Sequence, residues 1–152
     1  MKLDELEKFG PPSISLGGLN IWIHAREFPN ATDYWDANWL KVSAVYTSSS
    51  SKVWLSGNFI QISELLRWQK ELLILNDLLK GTASLNCLEP NLSIHMKIDK
   101  TGHIETIVNL YDDHIDEKHE FIFSVDQTYL VKLIKELNTI LEQYPLKGEA
   151  TT

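Results

Sequence analysis

Apolar positions along the chain recur with two periods, and each change of period marks an element. Over residues 19–28 the period is two. Leu19, Ile21, Ile23 and Ala25 fall on one side, Trp22, His24 and Arg26 on the other, as in a half-buried strand. A short strand over residues 13–16 precedes it across Gly17 and Gly18. Residues 39–47 alternate again through Val42, Ala44 and Tyr46. After the polar run Ser48-Ser49-Ser50-Ser51, residues 52–60 return with Val53, Leu55 and Phe59 aligned. This pair predicts a hairpin with a longer loop.

The period then lengthens. Leu65, Leu66, Trp68, Leu72, Leu73, Leu75 and Leu79 form a broad apolar face on a helix over residues 63–80. Ser63 is its expected N-cap, Glu64 suits the positive end of the helix dipole, and Gly81 is the expected stop. A strand over 82–88 and a turn at Glu89-Pro90-Asn91 follow. Next, Leu92, Ile94, Met96 and Ile98 alternate with Ser93, His95, Lys97 and Asp99. A three-residue loop, 100–102, with Gly102 where positive φ is wanted, sets Ile98 opposite Ile104, Ile94 opposite Val108, Leu92 opposite Leu110 and Lys97 opposite Glu105. A shift of one residue would turn every apolar side chain to the wrong face, so the register is fixed. After an acidic connection over 112–119, Phe121, Phe123 and Val125 define a last strand. A second helix spans 127–144, capped by Asp126, built on Leu130, Leu133, Ile134, Leu137, Leu141 and Tyr144, and ended by Pro145.

Strands joined by short turns pair antiparallel. The expectation is therefore a single α+β domain over residues 1–152: a mainly antiparallel sheet of six to eight strands with two amphipathic helices, a loose leader over 1–12 and a flexible tail over 147–152. No repeat of solenoid or propeller period is visible.

One stretch fits neither period. Residues 26–40 read Arg-Glu-Phe-Pro-Asn-Ala-Thr-Asp-Tyr-Trp-Asp-Ala-Asn-Trp-Leu. Pro29 and the Asn and Asp residues favour turns, yet Phe28, Tyr34, Trp35 and Trp39 are wasted on a floppy loop. The expectation is an ordered loop, pinned by rings packed on a sheet, with Asp33, Asp36 and Asn38 satisfying its backbone.

Composition narrows the function classes. The 152 residues carry a formal net charge of -7, which argues against direct nucleic-acid binding and permits a basic partner. The single cysteine, Cys87, excludes an internal disulfide and fits a reducing compartment. With a charged rather than apolar start and no run long enough to span a bilayer, the chain reads as cytoplasmic.

Catalytic patterns are weak. The seven glycines form no phosphate loop, and Cys87 sits among apolar neighbours as a buried thiol would. His114 and His119 beside Asp112, Asp113, Asp116 and Glu117 match no standard metal spacing. Asp33, Asp36 and Asn38 lack the Gly and bidentate Glu of a calcium loop. No cofactor and no metal are expected. His24 and His95 fall alone on outer strand faces. The five tryptophans suit core and loop-anchoring roles better than a ring platform.

The residues Arg26-Glu27-Phe28-Pro29 and Asp33-Tyr34-Trp35-Asp36-Ala37-Asn38-Trp39-Leu40 resemble a family of small bacterial immunity proteins, the WapI type, encoded beside wall-associated and other polymorphic toxins. The likeness continues at Leu88-Glu89-Pro90-Asn91-Leu92 and at Asp126-Gln127-Thr128-Tyr129-Leu130. It implies a non-enzymatic antitoxin that binds its cognate toxin's C-terminal domain, often a nuclease. It carries over no functional residue. The candidate partner surface, from charge alone, is Asp112, Asp113, Asp116, Glu117 and Glu120, with Arg26, Pro29, Asp33, Trp35, Asp36, Asn38 and Trp39 as a structural motif. The competing readings are a small-molecule or metal-dependent enzyme using Asp33, Asp36 or His24 beside the aromatic loop, and a structural or oligomeric role through a strand edge.

Overall fold

Each stretch of alternating residues is a strand, and both long stretches of helical period are helices. The structure, a computed structural model, describes residues 2–112 and 117–149. The strands are β1 (Ile14–Leu16), β2 (Leu19–Arg26), β3 (Trp39–Thr47), β4 (Lys52–Gln61), β5 (Gly81–Asn86), β6 (Leu92–Ile98), β7 (Ile104–Tyr111) and β8 (Lys118–Val125). The helices are α1 (Leu3–Leu6), α2 (Tyr34–Ala37), α3 (Ile62–Leu78) and α4 (Thr128–Gln143), with a 3-10 turn at Glu7–Phe9. All strand pairs are antiparallel, in two four-stranded sheets of order β1-β2-β3-β4 and β5-β6-β7-β8. The fold is α+β, and its order repeats: four strands and a helix, twice. No helix among the described residues is long and apolar enough to cross a membrane.

The β6–β7 register is the expected one: Ile98 faces Ile104, Lys97 Glu105, Ile94 Val108 and Leu92 Leu110. The turn is held by Asp99, whose Oδ1 accepts the Thr101 and His103 backbone N–H groups at 2.8 and 3.0 Å. Gly102 takes φ +86° there.

Both sheets and both long helices contribute to one apolar cluster. Ile21, Val42 and Ala44 bring in the first sheet, Ile94, Met96 and Val108 the second, Trp68 and Leu72 helix α3, Leu133 and Leu137 helix α4. Where the sheets meet, the Tyr46 ring stacks on Phe121 at 3.8 Å between centroids. Gly17, at φ +57°, lets the chain pass the Phe123 ring, which an added Cβ would meet at 2.4 Å.

Four local expectations are corrected. Helix α3 starts one residue earlier than Ser63, and its cap is Gln61. The Gln61 side chain accepts a first-turn N–H while Glu64 Oε1 accepts the Gln61 N–H at 2.6 Å, a capping box. The helix ends at Leu78, and its C-cap is Leu79 rather than Gly81, with Leu79 in the left-handed conformation, φ 54°. Leu73 and Leu79, assigned by spacing to the apolar face, are exposed. Strand β2 does not alternate throughout: a register shift between Ile23 and Ala25, matched by one in the β3–β4 pairing between Leu40 and Val42, breaks the period at His24.

Candidate partner-binding surface

The 26–40 stretch is ordered, but not by its rings. Trp35 is 52% exposed and Phe28 48%. What holds the loop is Asn38, fully buried. Its Nδ2 donates to Tyr34 O at 2.7 Å and Lys147 O at 2.9 Å, and its Oδ1 accepts the Lys147 N–H at 2.9 Å. Arg26 Nη1 donates to Ala37 O at 2.7 Å and its Nη2 to Pro145 O. Asp33 caps the single turn α2 through the Asp36 N–H at 3.0 Å. Lys147 Nζ reaches Pro29 O at 3.1 Å. The half of the expectation that gave the backbone to short polar side chains holds for Asp33 and Asn38, while Asp36 enters through its backbone N–H and the long side chains Arg26 and Lys147 supply the other bonds. The half that gave the packing to aromatic rings does not hold, because Phe28 and Trp35 face solvent and Trp39 is only half-buried.

A groove of about 300 Å³ lies beside this loop, lined by Tyr34, Trp35, Gln61, Ser63, Glu64 and Arg67, and on the far side by Cys87 and Leu88. Its acid is engaged: Glu64 Oε2 accepts the Leu88 N–H at 2.5 Å while Oε1 serves the helix cap. Burial pushes the Glu64 carboxyl above its ordinary value, against the pull of the two backbone N–H groups and Arg67. Burial, reinforced by the Glu64 charge, likewise pushes the Cys87 thiol far up, so at neutral pH it is no nucleophile.

His24 lies elsewhere. The bulge turns it into a second groove, of about 280 Å³, with Ser43, Ser56, Gly57 and Lys41. Its Nε2 is 2.8 Å from Ser43 Oγ, itself 2.7 Å from Ser56 Oγ. Burial lowers the His24 pKa, keeping the ring neutral near pH 7. His24, Asp33 and Asp36 therefore do not converge on one groove.

Of the acidic connection, Asp113, His114 and Asp116 lie outside the described residues. Asp112 is half-buried, and Glu117 and Glu120 are exposed. Glu117 Oε1 pairs with His119 Nε2 at 2.9 Å, and the described residues hold no group of three or more metal-ligating side chains. Asp112 and Glu117 border two grooves: one of about 330 Å³ with Glu89, Tyr111 and Lys118, and one of about 550 Å³ with Lys52, Trp54, His119 and Phe121. A third, of about 130 Å³, joins Asp112 and Glu89 to Leu55 through Phe59 of β4. Sequence reading missed Trp54 and Glu89 here. The signal for Trp54 was present: it falls on the polar side of a strand whose Val53 and Leu55 point inward, and it is 44% exposed.

A family model described as the immunity protein WapI-like family matches residues 13–145. The chain belongs to that family. In this WapI-like chain the three stretches that carried the resemblance are joints of the fold. Residues 26–40 form the Asn38-centred clasp. Leu88 and Asn91 tie the β5–β6 connection to Glu64 and, through Asn91 Nδ2 at 3.0 Å, to Tyr111 O. Asp126 accepts the Thr128 N–H at 2.9 Å at the start of α4. No curated protein matches the chain. Among solved structures, WHY3 and WHY1 from Arabidopsis thaliana are each 11% identical with a TM-score of 0.49; 86% of this chain aligns with 85% and 87% of theirs. The plant transcriptional regulator PBF-2 gives the same identity and score over 79% of its chain.

Proposed function

We propose that this WapI-like protein is a non-enzymatic antitoxin of the cytoplasm, which binds the C-terminal domain of a cognate bacterial toxin, a basic nuclease, and blocks it. Family membership over residues 13–145 carries the reading. Three observations support it. The net charge of -7 favours rapid capture of a basic partner. Glu117, which lines two grooves with Asp112, and Glu120 of β8, across from Asn109, are both exposed. The family's own motif residues are spent on joints rather than gathered around a reacting centre. The acids proposed to meet the nuclease's phosphate-binding cleft are Asp112, Glu117 and Glu120, with Asp113 and Asp116, which lie outside the described residues.

The test is co-expression with the toxin domain encoded by the adjacent gene. Rescue of growth is expected, and continued killing in cells that hold the folded antitoxin would overturn the reading. Reversing Asp113, Asp116 and Glu117 to Lys should weaken capture and flatten its salt dependence. Unchanged binding would remove the loop from the interface while leaving the antitoxin reading intact.

A further inference from the structure

Helix α3 has a second apolar face. Ile62, Leu65, Trp68, Leu72 and Leu75 are buried in the core. At 3.6 residues per turn, Lys70, Leu73, Ile74 and Asp77 fall on the opposite side, with Leu78 at its margin. Leu73 is 48% exposed, Ile74 57% and Leu78 53%. The outer side of a surface helix is ordinarily polar. Large apolar side chains gathered in solvent within two turns mark an interaction surface, whereas one alone would need no explanation.

The charges on this face have a symmetry of their own. Lys70 precedes Leu73 by three residues, and Asp77 follows Ile74 by three. Both are exposed. Among the described residues, neither enters an ion pair. The run Lys-x-x-Leu-Ile-x-x-Asp is therefore centred between residues 73 and 74, with opposite charges at equal distances from the centre. Two helical turns, about 10.5 Å along the axis, separate Lys70 from Asp77.

We infer that this face docks on the same face of a second copy of the chain, the two α3 helices running antiparallel about a two-fold axis that passes between residues 73 and 74. Such an axis sets Lys70 of each copy against Asp77 of the other, and brings Leu73 against Leu73 and Ile74 against Ile74 across the centre. An isologous contact of this kind must be self-complementary, and this face is. Parallel pairing would set Lys70 on Lys70 and Asp77 on Asp77, and like charges disfavour it. The charges also select the occupant: a foreign surface requires no balance of sign about a centre, and a copy of the same helix does. One helix face offers less than the roughly 1,200–2,000 Å² that a stable interface buries, so the pair is weak, with Kd on the order of 100 µM. The inference is independent of the antitoxin reading.

Analytical ultracentrifugation of the full chain between about 5 µM and about 1 mM brackets that Kd, and the mass should rise towards that of a dimer. Lys70→Asp and Asp77→Lys should each weaken association about tenfold, because each turns two attractive pairs into two repulsive ones. The double variant, Lys70→Asp with Asp77→Lys, should restore it. Mixing the two single variants should also restore it, since each then supplies the charges the other lacks; a variant that had merely misfolded could not do this. Leu73→Ser with Ile74→Ser should abolish the dimer, and Leu88→Ser, an exposed leucine outside this face, should change nothing. A monomer at every concentration, a dimer indifferent to both charge reversals, or failure of the double variant and of the mixture to associate would each overturn the inference. So would hydrogen exchange in which the toxin domain, and not a second copy, protects residues 70–78; that result would give the face to the toxin.

Discussion

Asn38 shows how one residue does work that the aromatic residues around it were expected to do. Both ends of its amide are used, on Tyr34 and Lys147, and no water reaches it. Replacing it by Ala strands two carbonyls and an N–H in a half-buried place, each at a cost of about 1 kcal/mol or more. Asn38→Ala should therefore lower stability in urea by about 3 kcal/mol and speed hydrogen exchange at Lys147. Asn38→Asp keeps the acceptor but turns a carboxylate oxygen on the two carbonyls, and should be no better. A loss under about 0.5 kcal/mol, the range of an ordinary surface change, would mean the clasp does not depend on it. Glu64 makes a pH prediction. Its folded-state pKa lies above the ordinary value because burial outweighs its two N–H partners, so the folded protein holds that proton more tightly than the unfolded chain. The stabilising contribution is fully present below the ordinary glutamate pKa of 4.5 that the unfolded chain has, and is lost as pH rises through the folded pKa. Glu64→Gln cannot titrate, and its stability should fall less than the wild type's between pH 4 and pH 7 in urea titrations. Parallel profiles would refute the shift.

At the scale of elements, helix α3 carries a flaw that can be repaired. Leu79 adopts φ 54°, where a Cβ crowds the following carbonyl at about 1–2 kcal/mol. The side chain is 45% exposed, so little packing offsets it. Leu79→Gly should keep the bond from its N–H to Leu75 O at 2.9 Å, gain about 1 kcal/mol and raise Tm by about 3 °C. A drop in Tm would show that Leu79 packs usefully. This flaw also shows what kind of feature sequence reading misses. Gly81, two residues on, advertised a helix stop because glycine usually fills the left-handed site, and nothing in Leu79 says otherwise. The capping box was hidden for a related reason: Ser63 outranks Gln61 as a cap by residue preference, and only the reach of Glu64 back to the Gln61 N–H reverses that. By contrast, the β6–β7 hairpin was legible to the residue, since a period-two pattern has two registers and only one buries Ile94 and Val108 together. The His24 bulge was not legible, because a bulge needs one unpaired residue and the side chains of 23–25 look like ordinary alternation. Of the candidate surface, the acids at 112, 117 and 120 could be read from charge. The grooves around them could not, since each joins residues far apart in the chain: Lys52 and Trp54 with His119 and Phe121 in one, Glu89 with Asp112 in the other two.

The whole molecule repeats four strands and a helix, which raises the question of whether each half is a folding unit. The contacts argue against it. Helix α3 follows the first sheet in sequence, yet its Glu71 serves β5, its Glu64 holds Leu88, and its Gln69 bonds Asn138 of α4. Helix α4 follows the second sheet, yet Lys132 and Glu136 hold β1. Each helix thus covers an edge of the sheet it does not follow, and the Tyr46–Phe121 stack fastens sheet to sheet. Cutting the chain after Lys80 would leave each half with one bare apolar face and a helix lacking its partner edge. The halves should be unfolded when expressed separately, by circular dichroism and by amide dispersion. The intact chain should unfold in a single step. Its tryptophans make that test clean, because all five, from Trp22 to Trp68, lie in the first half. Tryptophan fluorescence follows that half alone, while far-ultraviolet circular dichroism follows both. One cooperative unit requires the two curves to coincide in urea. If fluorescence were lost first, with half of the dichroism remaining, the second half would be shown to stand without the first, and the crossed helices would be a packing arrangement rather than the source of cooperativity.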